Sequence, residues 1–111
     1  MATSAKAFFE DVIGPRIAGN PARARKIGGI FEFVLDGDDG GTWVLDLNMA
    51  QMKPASNGDS NVVIRMSSAD FLDIVEGRQN EMSAFMRGKV KIEGNIAMAL
   101  KLREILQPAG W

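Results

Sequence analysis

Any chemistry in this chain must come from carboxylates, amines, guanidinium groups and hydroxyls, because it contains neither histidine nor cysteine. That removes the commonest general base, the thiol nucleophile, the thiolate metal site and any disulfide framework. Three stretches still have the outline of a reactive or ion-binding signature. In "DGDDGGTWVLDL", Asp36 and Asp38 stand at the first and third positions of a calcium loop and Gly41 at the sixth. Gly40, however, occupies the place of an oxygen ligand, and Leu47 the place of the glutamate that closes the shell. The stretch therefore reads as a hairpin turn, which selects Gly and Asp on its own account. Around Gly88-Lys89, Ser83 replaces the earlier glycine of a phosphate loop, and Val90 cannot hold magnesium. Ser67 and Ser68 have no histidine to activate them and no lysine identifiable by spacing, so they read as helix caps. The remaining acids fall at turns, outer strand faces and polar helix positions, as solvated charge does. An enzymatic reading would need a carboxylate such as Glu76 or Glu81 tuned beside a cavity. The expectation is no catalytic residue, no metal and no cofactor.

What remains is an apolar pattern, and the elements must explain it. With 111 residues, 46% apolar and 24% charged, the chain has globular proportions and is expected to form one domain over 1–111 around one core. Thirteen basic against fourteen acidic residues, and no tyrosine, offer neither a field for phosphates nor a stacking platform, so no nucleic-acid partner is expected. The longest apolar runs fall well short of the roughly 20 residues of a membrane span. "MATSAKAFFEDVIG" does not read as a secretory signal, since Glu10 and Asp11 interrupt it early. The cytoplasm is the expected location.

Thr3 or Ser4 caps a first helix whose apolar positions are Phe8, Phe9, Val12 and Ile13, with Gly14-Pro15 as its expected interruption. Asn20-Pro21 starts a second, basic helix that Gly28-Gly29 stops. The period then changes to two. Phe31, Phe33 and Leu35 share one face of a strand, and beyond the turn Trp43, Leu45, Leu47 and Met49 share one face of the next. A poor third strand is expected over 49–53, limited by Pro54. Val62, Ile64 and Met66 mark another strand. Ser67 with Asp70 suits a capping box for the helix carrying Phe71, Leu72 and Val75, which Gly77 ends. Met82, Phe85 and Met86 form a smaller stripe. Val90 and Ile92 alternate with Lys89, Lys91 and Glu93 as a last strand, and a final helix is expected to run to Gln107 before Pro108. Strands with one dry face each and helices clustered at the two ends predict an α+β layer.

The final helix is unusual. Ile96 to Leu100 is apolar at every position, so its first turn has no evident solvent face and is expected to be enclosed. Seven methionines, Met52, Met66, Met82, Met86 and Met98 among them, flank or occupy apolar surfaces. Met can fill gaps in a solid core or line a pocket that accepts varied outlines, and periodicity alone does not separate the two.

"KIGGIFEFVLDGDDGGTWVLDL", "ADFLDIVEG" and "SAFMRGKVKIEGNIAMALKL" together resemble the sterol carrier protein-2 family over nearly the whole chain. The most specific block is Ser83-Ala84-Phe85, Gly88-Lys89, Ile92, Gly94-Asn95 and the residues from Ala97 to Leu102. The resemblance implies a five-stranded sheet with one face covered by helices. Between them it implies a hydrophobic tunnel for sterols, fatty acids, fatty acyl-CoA or phospholipids. As a set, the lining candidates are Phe71, Leu72, Val75, Met82, Phe85, Met86, Ile96, Met98, Leu100, Leu102 and Ile105. Arg87 stands where well-known animal members carry a neutral Gln, so Arg87, with Lys89 or Arg78, is the candidate contact for a charged head group. "QPAGW" lacks the peroxisomal tripeptide of many relatives. The expected partner is a lipid or fatty acyl ligand, with transient contact to a membrane surface. The competing reading is an accessory or protein-interaction domain with a solid core and an apolar groove, or a homodimer.

Overall fold

In the computed structural model the described residues are 4–54, 58–108 and 110–111. Thr3, one of the two cap candidates, and part of the turn before the fourth strand lie outside them. Ser4 does cap α1 (Ala5–Ala7), its Oγ accepting from the Ala7 N–H at 3.1 Å. Gly14-Pro15 does not interrupt the helix as expected. A π segment over Phe8–Ile13 carries the chain into α2 (Gly14–Gly19), with the Gly14 N–H donating to the Phe9 carbonyl. Proline lacks an N–H and crowds the carbonyl four residues back, and widening the helix just ahead of it accommodates both effects. Asn20 then caps α3 (Pro21–Ile27), its side chain accepting from the Arg23 N–H at 3.2 Å.

Five strands, β1 (Ile30–Asp36), β2 (Gly41–Asp46), β3 (Gln51–Lys53), β4 (Val62–Ser67) and β5 (Lys91–Gly94), form one sheet in the order β3-β2-β1-β4-β5. β1 and β4 are parallel and every other pair is antiparallel. The register places Phe33 opposite Trp43 on one side and Ile64 on the other, and Phe31 opposite Leu45 and Val62. Because side chains alternate, the row Trp43, Phe33, Ile64, Ile92 falls on one face. The helices cover that face. On the other face Arg65 pairs with Glu93, and Lys53 with Asp46 at 3.3 Å. The third strand is shorter than expected: the chain turns over 47–50, leaving Met49 63% exposed.

The packing centre is aromatic. Phe9 lies between Trp43 and Phe71, with ring centroids 4.6 and 4.9 Å away and near-parallel planes, and tilts against Phe33 at 5.2 Å. Such offset pairs add to the gain from burial itself. Phe9, Phe33 and Phe71 have no exposed surface. No helix among the described residues is long and apolar enough to cross a membrane.

Candidate functional site

Four short helices form the rest of the apolar layer: α4 (Ser68–Val75), α5 (Glu81–Met86), α6 (Ile96–Ala99) and α7 (Leu102–Leu106). Ser67 caps α4, accepting from the Asp70 N–H at 3.0 Å. The Asp70 carboxylate accepts instead from Gln79 at 3.2 Å. Asn80 caps α5 through the Met82 and Ser83 N–H groups, and Asn95 caps α6 through that of Met98. The single final helix expected from the sequence is two: the chain turns at Leu100 and Lys101, and the Lys101 ammonium donates to the Ile27 carbonyl at 3.0 Å. A straight helix could not bury a segment that is apolar all round against one sheet. The break divides its faces, with Met98 over Gly29 and Leu100 beside a void.

That void measures about 300 Å³. Phe33, Met66 and Ile92 of the sheet form its floor with Val90. Phe71 and Ile74 of α4 close one side, and Met82 and Phe85 of α5 another. Ile96, Ala99, Leu100, Leu102 and Leu106 complete the wall. The lining is apolar except for Glu81 and Arg103, whose side chains meet with Nη2 to Oε1 at 2.6 Å and Nε to Oε1 at 2.8 Å. On the open side the lining is exposed: Leu100 by 65%, Ile96 by 54%, Met82 by 46% and Phe85 by 37%. The expectation that Ile96 to Leu100 would be wholly enclosed is thereby corrected. Only Ala99 of this run is buried, because the two ends of the run frame an opening.

Of the eleven lining candidates, Phe71, Met82, Phe85, Ile96, Leu100 and Leu102 border the cavity. Leu72, Val75, Met86, Met98 and Ile105 do not. Leu72 and Val75 are half-buried on α4 and Met86 is 79% exposed. Met98 lies against Gly29, and Ile105 is buried in the core, where its carbonyl accepts from Arg16 at 2.8 Å. Burial lowers the pKa of that Arg16 guanidinium. All five thus stand one position along the chain from a residue that does border the void, namely Phe71, Ile74, Phe85, Ala99 and Leu106. Phe33, Met66, Ile74, Val90, Ile92, Ala99 and Leu106 also line the void; strand alternation turns Phe33, Met66 and Ile92 inward but does not distinguish a void from solid packing above them.

Among the head-group candidates, Arg78 and Arg87 border a shallow hollow with Gln79, Asn80, Ser83 and Met86, away from the cavity. Arg78 is held by Asp73 at 2.8 Å and Glu76 at 2.7 Å. Its hydrogen bonds, to Asp73 first and Glu76 second, raise its pKa. Arg87 donates to Gln79 at 3.3 Å, and Lys89 is exposed beyond α5. Of the two carboxylates an enzymatic reading would need, Glu76 pairs with Arg78 and Glu81 reaches the cavity already bonded to Arg103. No cluster of three or more acids that could hold a metal occurs among the described residues.

A five-stranded mixed sheet with one helical layer is also what comparison with known proteins returns. The model of the SCP-2 sterol transfer family matches residues 11–107. The chain belongs to this family. It is 37% identical over 112 residues to non-specific lipid-transfer protein-like 1 of Caenorhabditis elegans, covering 97% of this chain and 94% of that protein. The apo structure of sterol carrier protein 2 from Yarrowia lipolytica superposes with a TM-score of 0.75 at 29% identity, covering 86% of this chain and 84% of that one. Hydroxysteroid dehydrogenase-like protein 2 of Bos taurus is 42% identical over 82 residues, 69% of this chain but 19% of that protein. The chain thus spans under a quarter of the length of several curated relatives it matches.

Proposed function

We propose that this SCP-2 family chain binds a lipid by taking one aliphatic chain into the cavity under α5, α6 and α7 and leaving the head group at the opening. The observation that carries this reading is an apolar void that opens through exposed apolar side chains, Met82, Phe85, Ile96 and Leu100. Its volume is at the low end of the roughly 300–1,000 Å³ usual for ligand sites, which suits a single slender tail. Fatty acid, fatty acyl-CoA or a phospholipid chain therefore fits better than the broad, rigid ring system of a sterol. The names of the Caenorhabditis and Yarrowia proteins, a lipid-transfer-like protein and a sterol carrier, support a lipid ligand in general. Each methylene moved from water contributes about 0.8 kcal/mol without directional contacts, so affinity comes with broad choice of chain. The exposed ring around the opening would meet a membrane surface during loading. Binding rather than catalysis is proposed, since the one carboxylate at the cavity is occupied by Arg103.

The test is titration of delipidated protein with a fluorescent fatty acid. One saturable site is expected, displaced by unlabelled palmitate, with affinity rising about fourfold per added methylene until the cavity is full. Absence of saturable uptake would favour the accessory-domain reading, in which the same exposed ring meets a protein.

A further inference from the structure

Resting on the lipid reading above, we infer that Arg103 is the residue that reads head-group charge, and that Glu81 is a resident carboxylate which an anionic ligand must displace from it. The cavity wall offers a ligand two polar side chains, and they are these two. The Arg103 Nε and Nη2 groups converge on a single oxygen of Glu81, at 2.8 and 2.6 Å. This leaves the other guanidinium nitrogen without a protein acceptor among the described residues. A guanidinium presents five donors in a planar fork suited to a carboxylate or phosphate, so half of its recognition edge is free while Glu81 holds the rest. The pair is also accessible: the Arg103 side chain is 57% exposed and that of Glu81 32%. Ion pairs in such surroundings are weak and exchange readily. Glu81 and Arg103 come from different helices, α5 and α7, so the carboxylate can swing aside without unwinding either one. A tail lying over Phe33 and Ile92 would place its head within reach of the wall that carries Arg103. The three cations selected from the sequence have no such position, because Arg78 and Arg87 border a separate hollow and Lys89 borders neither.

This arrangement makes a neutral head and an anionic head respond differently to the same two side chains. A neutral head leaves the bridge intact, whereas a carboxylate or phosphate competes with Glu81 for Arg103. Full-length wild-type, Arg103→Gln and Glu81→Gln proteins should be titrated with palmitate, cetyl phosphate and cetyl alcohol, which share a chain and differ at the head. In Arg103→Gln the anion-to-alcohol affinity ratio should fall on the order of tenfold, the scale of one charge-assisted hydrogen-bond pair. In Glu81→Gln it should rise, and both changes should shrink in high salt. Because the ratio is taken within each variant, a change in packing that acts on all three ligands alike cancels from it. If only palmitate or only cetyl phosphate responds, that head is the one recognised; if both do, Arg103 reads charge alone. The inference is overturned if the alcohol and the anions bind and neither variant moves their ratio, or if Glu81→Gln lowers it. Should no ligand bind the wild type, the lipid reading itself falls and takes this inference with it.

Discussion

Phe71 serves the core and the cavity at once. One face of its ring stacks on Phe9, 4.9 Å away, and the side chain also borders the void. Truncating a fully buried phenylalanine costs about 3–5 kcal/mol, a large part of the roughly 5–15 kcal/mol that holds a domain of this size. Phe71→Ala should therefore lower the urea midpoint sharply with the slope unchanged, and equilibrium denaturation checks it. Phe85→Ala, at an exposed cavity residue, should change stability far less and ligand affinity more. That contrast marks how far the site was readable from sequence. Alternation and helical spacing say which side chains turn inward, and they identified Phe71, Phe33, Ile64 and Met66 as interior. They do not say whether an inward side chain meets another side chain or empty space. Phe33 and Ile92 border the void while Ile64, between them in the sheet row, does not. The difference lies in the helices above, which periodicity within one strand does not record.

At the scale of elements, caps were the most legible feature, because one polar side chain meeting a backbone N–H is a local event. Ser4 and Ser67 cap helices as read from the sequence and Asn20 begins one, whereas the Asp70 carboxylate bonds Gln79 and leaves the capping box half formed. Ser67 begins the helix that holds Phe71 and Ile74 over the cavity. Ser67→Ala should cost about 1 kcal/mol, seen as a fall of a few degrees in Tm, while Ser67→Asp should restore most of it. The two helix irregularities were not legible, for a common reason. Gly14-Pro15 looks like a stop, yet Ile13 and Ile17, on either side of it, are both fully buried, and keeping both inside rewards a continued, locally widened helix. Leu100-Lys101 carries no breaker, yet the chain turns there, because faces of an all-apolar segment must be shared between core and opening. Tertiary burial outweighed local signals in both cases.

For the whole molecule, the void is a structural cost in the absence of a guest. Unfilled apolar space forfeits contacts that its lining would otherwise make. Ala99 is 8% exposed and borders the cavity, so Ala99→Phe projects a ring into it. This substitution should leave the melting temperature of the empty protein unchanged or higher while abolishing saturable fatty-acid uptake. Loss of uptake accompanied by a large fall in Tm would instead mean that no room exists there and that the core is overpacked. Added palmitate should stabilise the wild type in proportion to the logarithm of its concentration above the dissociation constant, and leave Ala99→Phe unmoved.

The parallel alignment of β1 with β4 predicts an order of assembly. β1 and β2 are joined by a tight turn and can zip together early, whereas β4 must return across the intervening chain before it meets β1. Phe33 is the one wall residue that precedes β4; all the others, from Met66 to Leu106, come from β4 onward. The cavity is therefore expected to form late in folding, after that long-range closure. A bound guest should accordingly leave the refolding rate untouched and lengthen the lifetime of the native protein, so that in stopped-flow kinetics palmitate slows the unfolding arm alone.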